Sequence, residues 1–367
     1  MQREKPPFRA DHVGSLLRPA SLRDARAKRA KGEITAAALK EIEDREIKKA
    51  VAKQEEVGLH AISDGEFRRS WWHLDFLSGL DGTEWYEMDQ GIGFHGTQTR
   101  AQGVRVVGKV GMSGVHPMVE HFRFLAAATR RTPKMTIPAP SALYGRSGRG
   151  PISRQAYPSI DKFFADLGAA YRKVVKDFAD AGCRYLQLDE VFIAMLCDEA
   201  YRKRVAEQGD DPKRIGEIYG DLINEAMADI PPDMTITMHL CRGNFRSTFM
   251  GTGGYEPVAE VLFDRIKVHG YFLEYDSDRA GGFEPLRRLK KDRLAVLGLV
   301  TSKTGVLESA DLIKRRVEEA ARFAPLDQLC LSPQCGFAST EEGNTLAEEE
   351  QWAKLRRIVE LSKEIWG

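Results

Sequence analysis

Short apolar runs recur along this chain, at 10–13, 61–63, 134–138, 185–188, 234–238, 271–273, 295–299 and 329–332, and most end in a polar or titratable residue. Between them lie longer stretches with apolar positions three and four apart, at 36–57, 160–181, 213–229, 310–323 and 347–365. The first pattern predicts buried strands and the second amphipathic helices. Strand followed by helix, about eight times, predicts an α/β fold: a closed parallel (β/α)8 barrel occupying residues 1–367 as a single catalytic domain. An open, doubly wound sheet is the alternative. No Gly-x-Gly-x-x-Gly turn follows an early strand and no Gly-x-x-x-x-Gly-Lys-Ser/Thr loop occurs, so nucleotide binding of those kinds is disfavoured.

One segment breaks the alternation. Residues 80–114 are rich in Gly, Thr, Gln and aromatics, and contain the alternating patch Val104-Arg-Val-Val-Gly-Lys-Val110. They predict a hairpin excursion after the second strand, either a cover for the barrel mouth or a plain surface ribbon. A second irregular stretch carries Arg146, Arg149 and Arg154 among glycines and reads as a solvated loop or a seat for an anionic group.

Parallel barrels gather their chemistry at the carboxyl ends of the strands. The polar residues there are His12 and Ser15, Asp64 and Glu66, Ser141, Asp189 and Glu190, His239 and Cys241, Glu274, Ser302 and Lys303, and Cys335. In a strand, positions i and i+2 face the same side, so His239 and Cys241 can grip one ion together. With Glu274 and Cys335 they form a tetrahedral set of the kind zinc takes, whereas magnesium or calcium wants oxygen alone. Each residue has an ordinary reading too. Cys335 before a turn glycine can be a small buried residue, Glu274 a solvated strand end, and Asp189-Glu190 a helix cap. Jointly, their placement at strand ends five, six and eight favours the metal site.

Composition narrows the partners. The balance of 55 basic and 54 acidic residues offers no extended cationic surface for nucleic acid or membrane. No apolar run approaches membrane-spanning length, and the start of the chain is charged and bears proline, so a cytoplasmic protein is expected. Five irregularly spaced cysteines do not make a disulfide framework, which leaves thiols free for metal.

The motifs His-Val-Gly-Ser (12–15), Ser-Asp-Gly-Glu-Phe (63–67), Gln-Leu-Asp-Glu (187–190), Met-His-Leu-Cys (238–241), Phe-Leu-Glu (272–274) and Ser-Pro-Gln-Cys-Gly (332–336) run nearly end to end. On them the chain resembles the catalytic, C-terminal barrel of cobalamin-independent methionine synthase, and more closely the stand-alone single-barrel members of that family. The resemblance implies zinc held by His239, Cys241, Glu274 and Cys335. It also implies an amino acid end of homocysteine held by Ser15, Glu66 and Asp189, and a cytoplasmic S-methyltransferase of methionine biosynthesis. The implied partners are a small-molecule thiol and a methyl donor, with a homo-oligomer left open. Two departures bear on the donor. The family's folate-stacking tryptophan is absent near the third strand, where Tyr144 is the substitute platform. The family's acidic residue and proton-donating histidine after the seventh strand are replaced by Thr301-Ser302-Lys303, so Lys303 or His12 becomes the candidate acid. Full-length enzymes of the family also carry a second, N-terminal barrel that helps hold polyglutamylated folate. Methyltetrahydrofolate therefore competes as donor with another carrier such as a corrinoid. The other readings are a thiol alkyltransferase of the epoxyalkane coenzyme M transferase type, a metal-free barrel of the uroporphyrinogen decarboxylase type, and a non-catalytic zinc-binding barrel.

Overall fold

The computed structural model describes residues 3–146 and 148–367. Six parallel strands form one sheet in the order Leu329–Pro333, Leu294–Val300, Gly270–Glu274, Thr235–Leu240, Tyr185–Glu190, Met135–Pro138. At one edge, Ala61–Ile62 pairs in parallel with Thr132–Pro133, just before Met135–Pro138. At the other, Ala10 bridges Leu331 in parallel, with Asp11 N donating to Leu331 O at 3.0 Å and Leu331 N to Arg9 O at 2.8 Å. The segments thus follow one another around a barrel in chain order, as predicted. Between the first and second, Ser63 Oγ donates to Gly14 O at 2.6 Å and Leu16 N to Gly65 O at 3.1 Å, in place of a strand ladder. A continuous ring of backbone pairing is therefore not closed among the described residues. The predicted strand at 10–13 shrinks to a single bridge, and that at 61–63 to two residues.

Tyr185–Glu190 and Leu294–Val300 are buried along their whole length, as expected for parallel strands covered on both faces. Alternate residues then divide between lumen and helices. The helix predicted at 36–57 is Ala36–Val57, where Thr35 Oγ1 accepts from Ala38 N at 3.1 Å and Gly58, at φ +100°, ends it. Ile160–Asp180, Pro212–Ala226, Ala310–Ala320 and Glu348–Trp366 match the other predicted helices to within a few residues. Ile160–Asp180 buries Phe163, Leu167, Tyr171, Val174 and Phe178 at three- and four-residue spacing against the barrel. Full helices after strands five and six do not form. Short helical elements, Glu260–Arg265 and Glu284–Arg288, take their place; glycines precede each segment (Gly253, Gly254; Gly281, Gly282), and Pro257 and Pro285 stand in the first turn where the helical chain begins. Helices Ala20–Ala30, Met118–Ala128 and Glu199–Glu207 were not foreseen.

The excursion at 80–114 is a hairpin of Asp81–Glu87 against Gln102–Gly111, with a smaller ribbon, Gly93–Phe94 and Thr97–Gln98, at its tip. The Tyr157 hydroxyl accepts from Val110 N at 2.7 Å and donates to Asp166 Oδ2 at 3.0 Å, tying the hairpin to the helix Ile160–Asp180. No helix among the described residues is long and apolar enough to cross a membrane.

The lower lumen is polar and closed. Lys134 is wholly buried, 3.1 Å from Asp11 Oδ1, and also donates to His12 O. Tyr185 donates to Asp11 Oδ2 at 2.9 Å, and the ammonium stands 4.1 Å from the Phe272 ring centroid. Lys134→Met leaves the Asp11 carboxylate buried without its cation, and a loss of about 3–5 kcal/mol is expected in urea unfolding. A double change that also makes Asp11 apolar should recover part of that loss.

Candidate metal centre

Strand register brings the candidate ligands together. Asp189 pairs with His239, and His239 with Phe272, across neighbouring strands. Period-two alternation then places Gln187 and Asp189, His239 and Cys241, and Phe272 and Glu274 on the lumen side. Cys335 arrives from the turn after the eighth strand. The ligand atoms of His239, Cys241, Glu274 and Cys335 all lie within 4.8 Å of one another, and every one of these residues is buried. The Cys241 and Cys335 sulfurs are 3.6 Å apart, and both are free thiols.

Polar side chains around the cluster hold it in shape. Glu274 Oε1 accepts from Arg242 N at 2.9 Å and Oε2 from Arg279 Nη2 at 2.7 Å. Asn244 donates to Gly336 O at 2.8 Å and Ser302 Oγ donates to the same oxygen at 3.0 Å, which fixes the turn carrying Cys335. By contrast, neither ring nitrogen of His239 has a hydrogen-bond partner, although the residue is buried. The hydrogen bond from Cys241 holds the Cys335 thiol well below its usual range, and the same contact together with burial pushes Cys241 up. Burial opposes protonation of His239, but the neighbouring Cys335, Asp189 and Glu274 raise it overall. The group is a negative pocket with an unsatisfied imidazole, which fits a cation.

Above the cluster is a cavity of about 290 Å³ whose lining includes Ser15, Glu66 and Asp189 as well as His239, Cys241 and Cys335. Gly14, at φ +137°, permits this closeness: a Cβ there would lie 2.6 Å from Glu66 Oε1. Glu66 itself sits at φ +59°, a costly backbone state for a non-glycine residue and one that recurs at functional sites. Burial pushes its carboxyl up to about 8 against the pull of Arg69, with which it pairs. Asp189 is also raised by burial and accepts from Gln187 Nε2 at 2.9 Å. The hairpin closes the far side of the cavity through Met88, Ile92 and Phe94.

Three expected site residues lie elsewhere. Lys303 Nζ is 2.9 Å from Asp276 Oδ2, an ion pair beside Arg279 and outside the cavity lining. His12 directs Nε2 to Ala61 O at 3.0 Å, and burial, with Lys134 nearby, lowers its imidazole to about 4, leaving it neutral. Tyr144 donates its hydroxyl to Asp210 Oδ2 at 2.9 Å and packs on Phe164, away from the cavity. A local ion pair, a backbone hydrogen bond and a side-chain hydrogen bond with packing outweighed position after a strand in the three cases, respectively. Glu190 likewise faces away from its neighbour Asp189: it accepts from Ser141 Oγ at 2.6 Å and from Phe192 N and Ile193 N at 2.7 and 2.8 Å, capping the next helix. Cavity residues not foreseen include Arg69, His73, Met195, Tyr201 and Arg204. Most of them come from irregular segments or from the unforeseen helix Glu199–Glu207, without periodicity that would mark them.

Four candidate ligands gathered at the carboxyl ends of parallel strands, beside a cavity, make a candidate metal site at the face where barrel enzymes carry their chemistry. Residues 8–364 match the family model described as cobalamin-independent synthase, catalytic domain, and the chain belongs to that family. It is 52% identical over 369 residues to the uncharacterized protein YxjG of Bacillus subtilis, covering 100% of this chain and 97% of that protein. It is similar, with TM-score 0.80, 43% identity and full coverage of both chains, to the solved structure of the "Putative Vitamin-B12 Independent Methionine Synthase from Listeria monocytogenes". A more distant relative is the 5-methyltetrahydropteroyltriglutamate–homocysteine methyltransferase of Thermotoga petrophila, 23% identical over 375 residues, where the whole chain matches 46% of that protein. Family and relatives together indicate a methyltransferase of the methionine synthase type.

Gly336 is where the turn carrying Cys335 meets Ser15, since a Cβ there would lie 1.9 Å from Ser15 Oγ. Gly336→Ala should displace Ser15 or the Cys335 turn and lower cobalt(II) or zinc uptake, read by metal analysis. Adding Ser15→Ala should restore most of that uptake, because it removes the oxygen that the new methyl meets.

Proposed function

We propose that the protein is a zinc-dependent methyltransferase that takes homocysteine and yields methionine, with the single barrel as its catalytic unit. The observation that carries this reading is the convergence of His239, Cys241, Glu274 and Cys335 at a cavity that also holds Ser15, Glu66 and Asp189. Two thiols, an imidazole and a carboxylate suit zinc. The buried, unpartnered His239 ring gives the fit a physical reason, since a polar group left so is costly until an ion or proton claims it. When bound, zinc would supply a lowered thiol pKa, keeping the substrate sulfur nucleophilic near neutral pH.

The chain's own residues do the rest. Glu66 and Asp189 are placed to receive the substrate ammonium, and the Ser15 hydroxyl its carboxylate. Holding the amino acid end aims the sulfur at the soft donors and sets the approach distance. Arg279 keeps Glu274 paired, so this carboxylate can shift within the cluster without becoming a lone buried charge. Met88, Ile92 and Phe94 exclude water from above. Two carboxylates in the cavity favour an ammonium-bearing thiol over a sulfonate-bearing one. The donor is methyltetrahydrofolate or another methyl carrier, and proton delivery to it is not assigned to Lys303 or His12, both of which lie outside the cavity.

Metal analysis of the purified protein should find one zinc per chain, and Cys335→Ser should lose most of it. Zinc-edge absorption should gain a sulfur neighbour when homocysteine is added; wild-type protein without stoichiometric zinc would sink the reading. A pH effect follows from Glu66. Its carboxylate form binds ammonium, so affinity for methionine, which has no thiol to titrate, should strengthen as pH rises through about 8. Calorimetry on Glu66→Gln should show that rise removed.

A further inference from the structure

The cavity has a second charged end that the thiol does not use. Arg146 enters from the turn after the third strand and lines the same cavity as His239, Cys241 and Cys335, which come from the fifth strand, its end and the turn after the eighth. Among the described residues it forms no ion pair: Nη2 reaches only Met88 Sδ, at 3.4 Å, and Nη1 is buried with no hydrogen-bond partner. Burial lowers this guanidinium to about 10, yet it stays a cation. A desolvated charge without a counter-charge is expensive, and such groups are normally paired.

The position is also built. Gly145 N donates to Ser141 O at 2.7 Å, and Gly145 O accepts from the Tyr201 hydroxyl at 2.7 Å. A Cβ on Gly145 would lie 2.3 Å from Phe192 Cγ, so the backbone beside Arg146 is pressed onto that ring. Arg204 stands at the same mouth, 4.7 Å over the Tyr201 ring. Apolar side chains, Ile92, Phe94, Phe192 and Met195, complete the wall. The volume, about 290 Å³, is at the lower end of pockets that enclose one small ligand.

We propose that Arg146 is the anion anchor for the second substrate. The methyl donor carries a carboxylate or phosphate that pairs with Arg146, while the part of it that bears the methyl lies along the apolar wall and turns the methyl toward the substrate sulfur held at the four-residue cluster. This rests on the methyl-transfer reading above. In the transfer the substrate sulfur bonds to the methyl carbon, the donor's leaving atom keeps the electron pair of the broken bond, and the thiol proton passes to solvent. Anchoring the far end holds the leaving atom in line.

Calorimetric titration of the zinc-loaded protein at low ionic strength, with succinate and with inorganic phosphate as probes, tests the site. Saturable binding of one probe is expected, and which one binds distinguishes a carboxylate from a phosphate donor. Arg146→Gln should weaken it about tenfold or more, the scale of a lost charge-assisted hydrogen bond, while Arg146→Lys keeps most of it. Arg154→Gln, on the exposed part of the loop, should change nothing. A second measurement needs no variant: the bound anion should slow phenylglyoxal modification of Arg146, located by peptide mass, and leave that of Arg154 unaltered. Wild-type protein that binds neither probe, an Arg146→Gln protein that binds both as the wild type does, or unprotected Arg146 overturns the proposal. Homocysteine is titrated separately. Its failure to bind while the anion site persists would remove the thiol reading and leave the anchor standing.

Discussion

A buried imidazole with no hydrogen-bond partner on either nitrogen, facing two thiols and a carboxylate, is the constraint around which this barrel is arranged. Removing such groups from water costs several kcal/mol unless something replaces the lost contacts. The surrounding structure supplies replacements for every group but the ring. Glu274 has Arg242 N and Arg279, and the Cys335 turn has Asn244 and Ser302. Because those partners leave the ring free, His239 remains available to a cation.

The same economy shapes the rest of the lumen. Below the site, Lys134, Asp11 and Tyr185 satisfy one another, so the polar floor is structural. Above it, Glu66 and Asp189 are buried acids with only partial compensation, and the hairpin closes over them. The Lys134–Asp11 pair builds the barrel floor, and the buried Arg18 and Arg242, which form no ion pair among the described residues, rest on backbone carbonyls instead. Arg146 has neither kind of support among the described residues and lines the cavity, which is why it stands out.

Much of this was legible in the residues. The strands from 185 onward and the helices Ala36–Val57 and Glu348–Trp366 follow from strong apolar periodicity, a Thr35 cap and a terminal glycine at 58. The four metal candidates were readable because each closes an apolar run and because period-two alternation fixes which side a strand residue faces. The first strand was read at 10–13, but not its weakness: its pairing reduces to Ala10 against Leu331, more than three hundred residues away. Lys303, His12 and Tyr144 follow strands as the residues lining the cavity do. Asp276, the Ala61 carbonyl and Asp210 claim them instead, and no local pattern announces those partners.

By itself, then, the sequence determined the alternation of elements, the parallel barrel class and the set of soft donors, because these depend on spacing within short windows. The tertiary structure alone decided which charges are paired and which are left facing the cavity. It separated Asp189 from its neighbour Glu190, withdrew Lys303 and His12 from the mouth, and brought the hairpin tip and Arg146 to the same cavity. Those outcomes depend on contacts between segments far apart in the chain, where the desolvation of each polar group is settled by whichever partner the fold brings within reach.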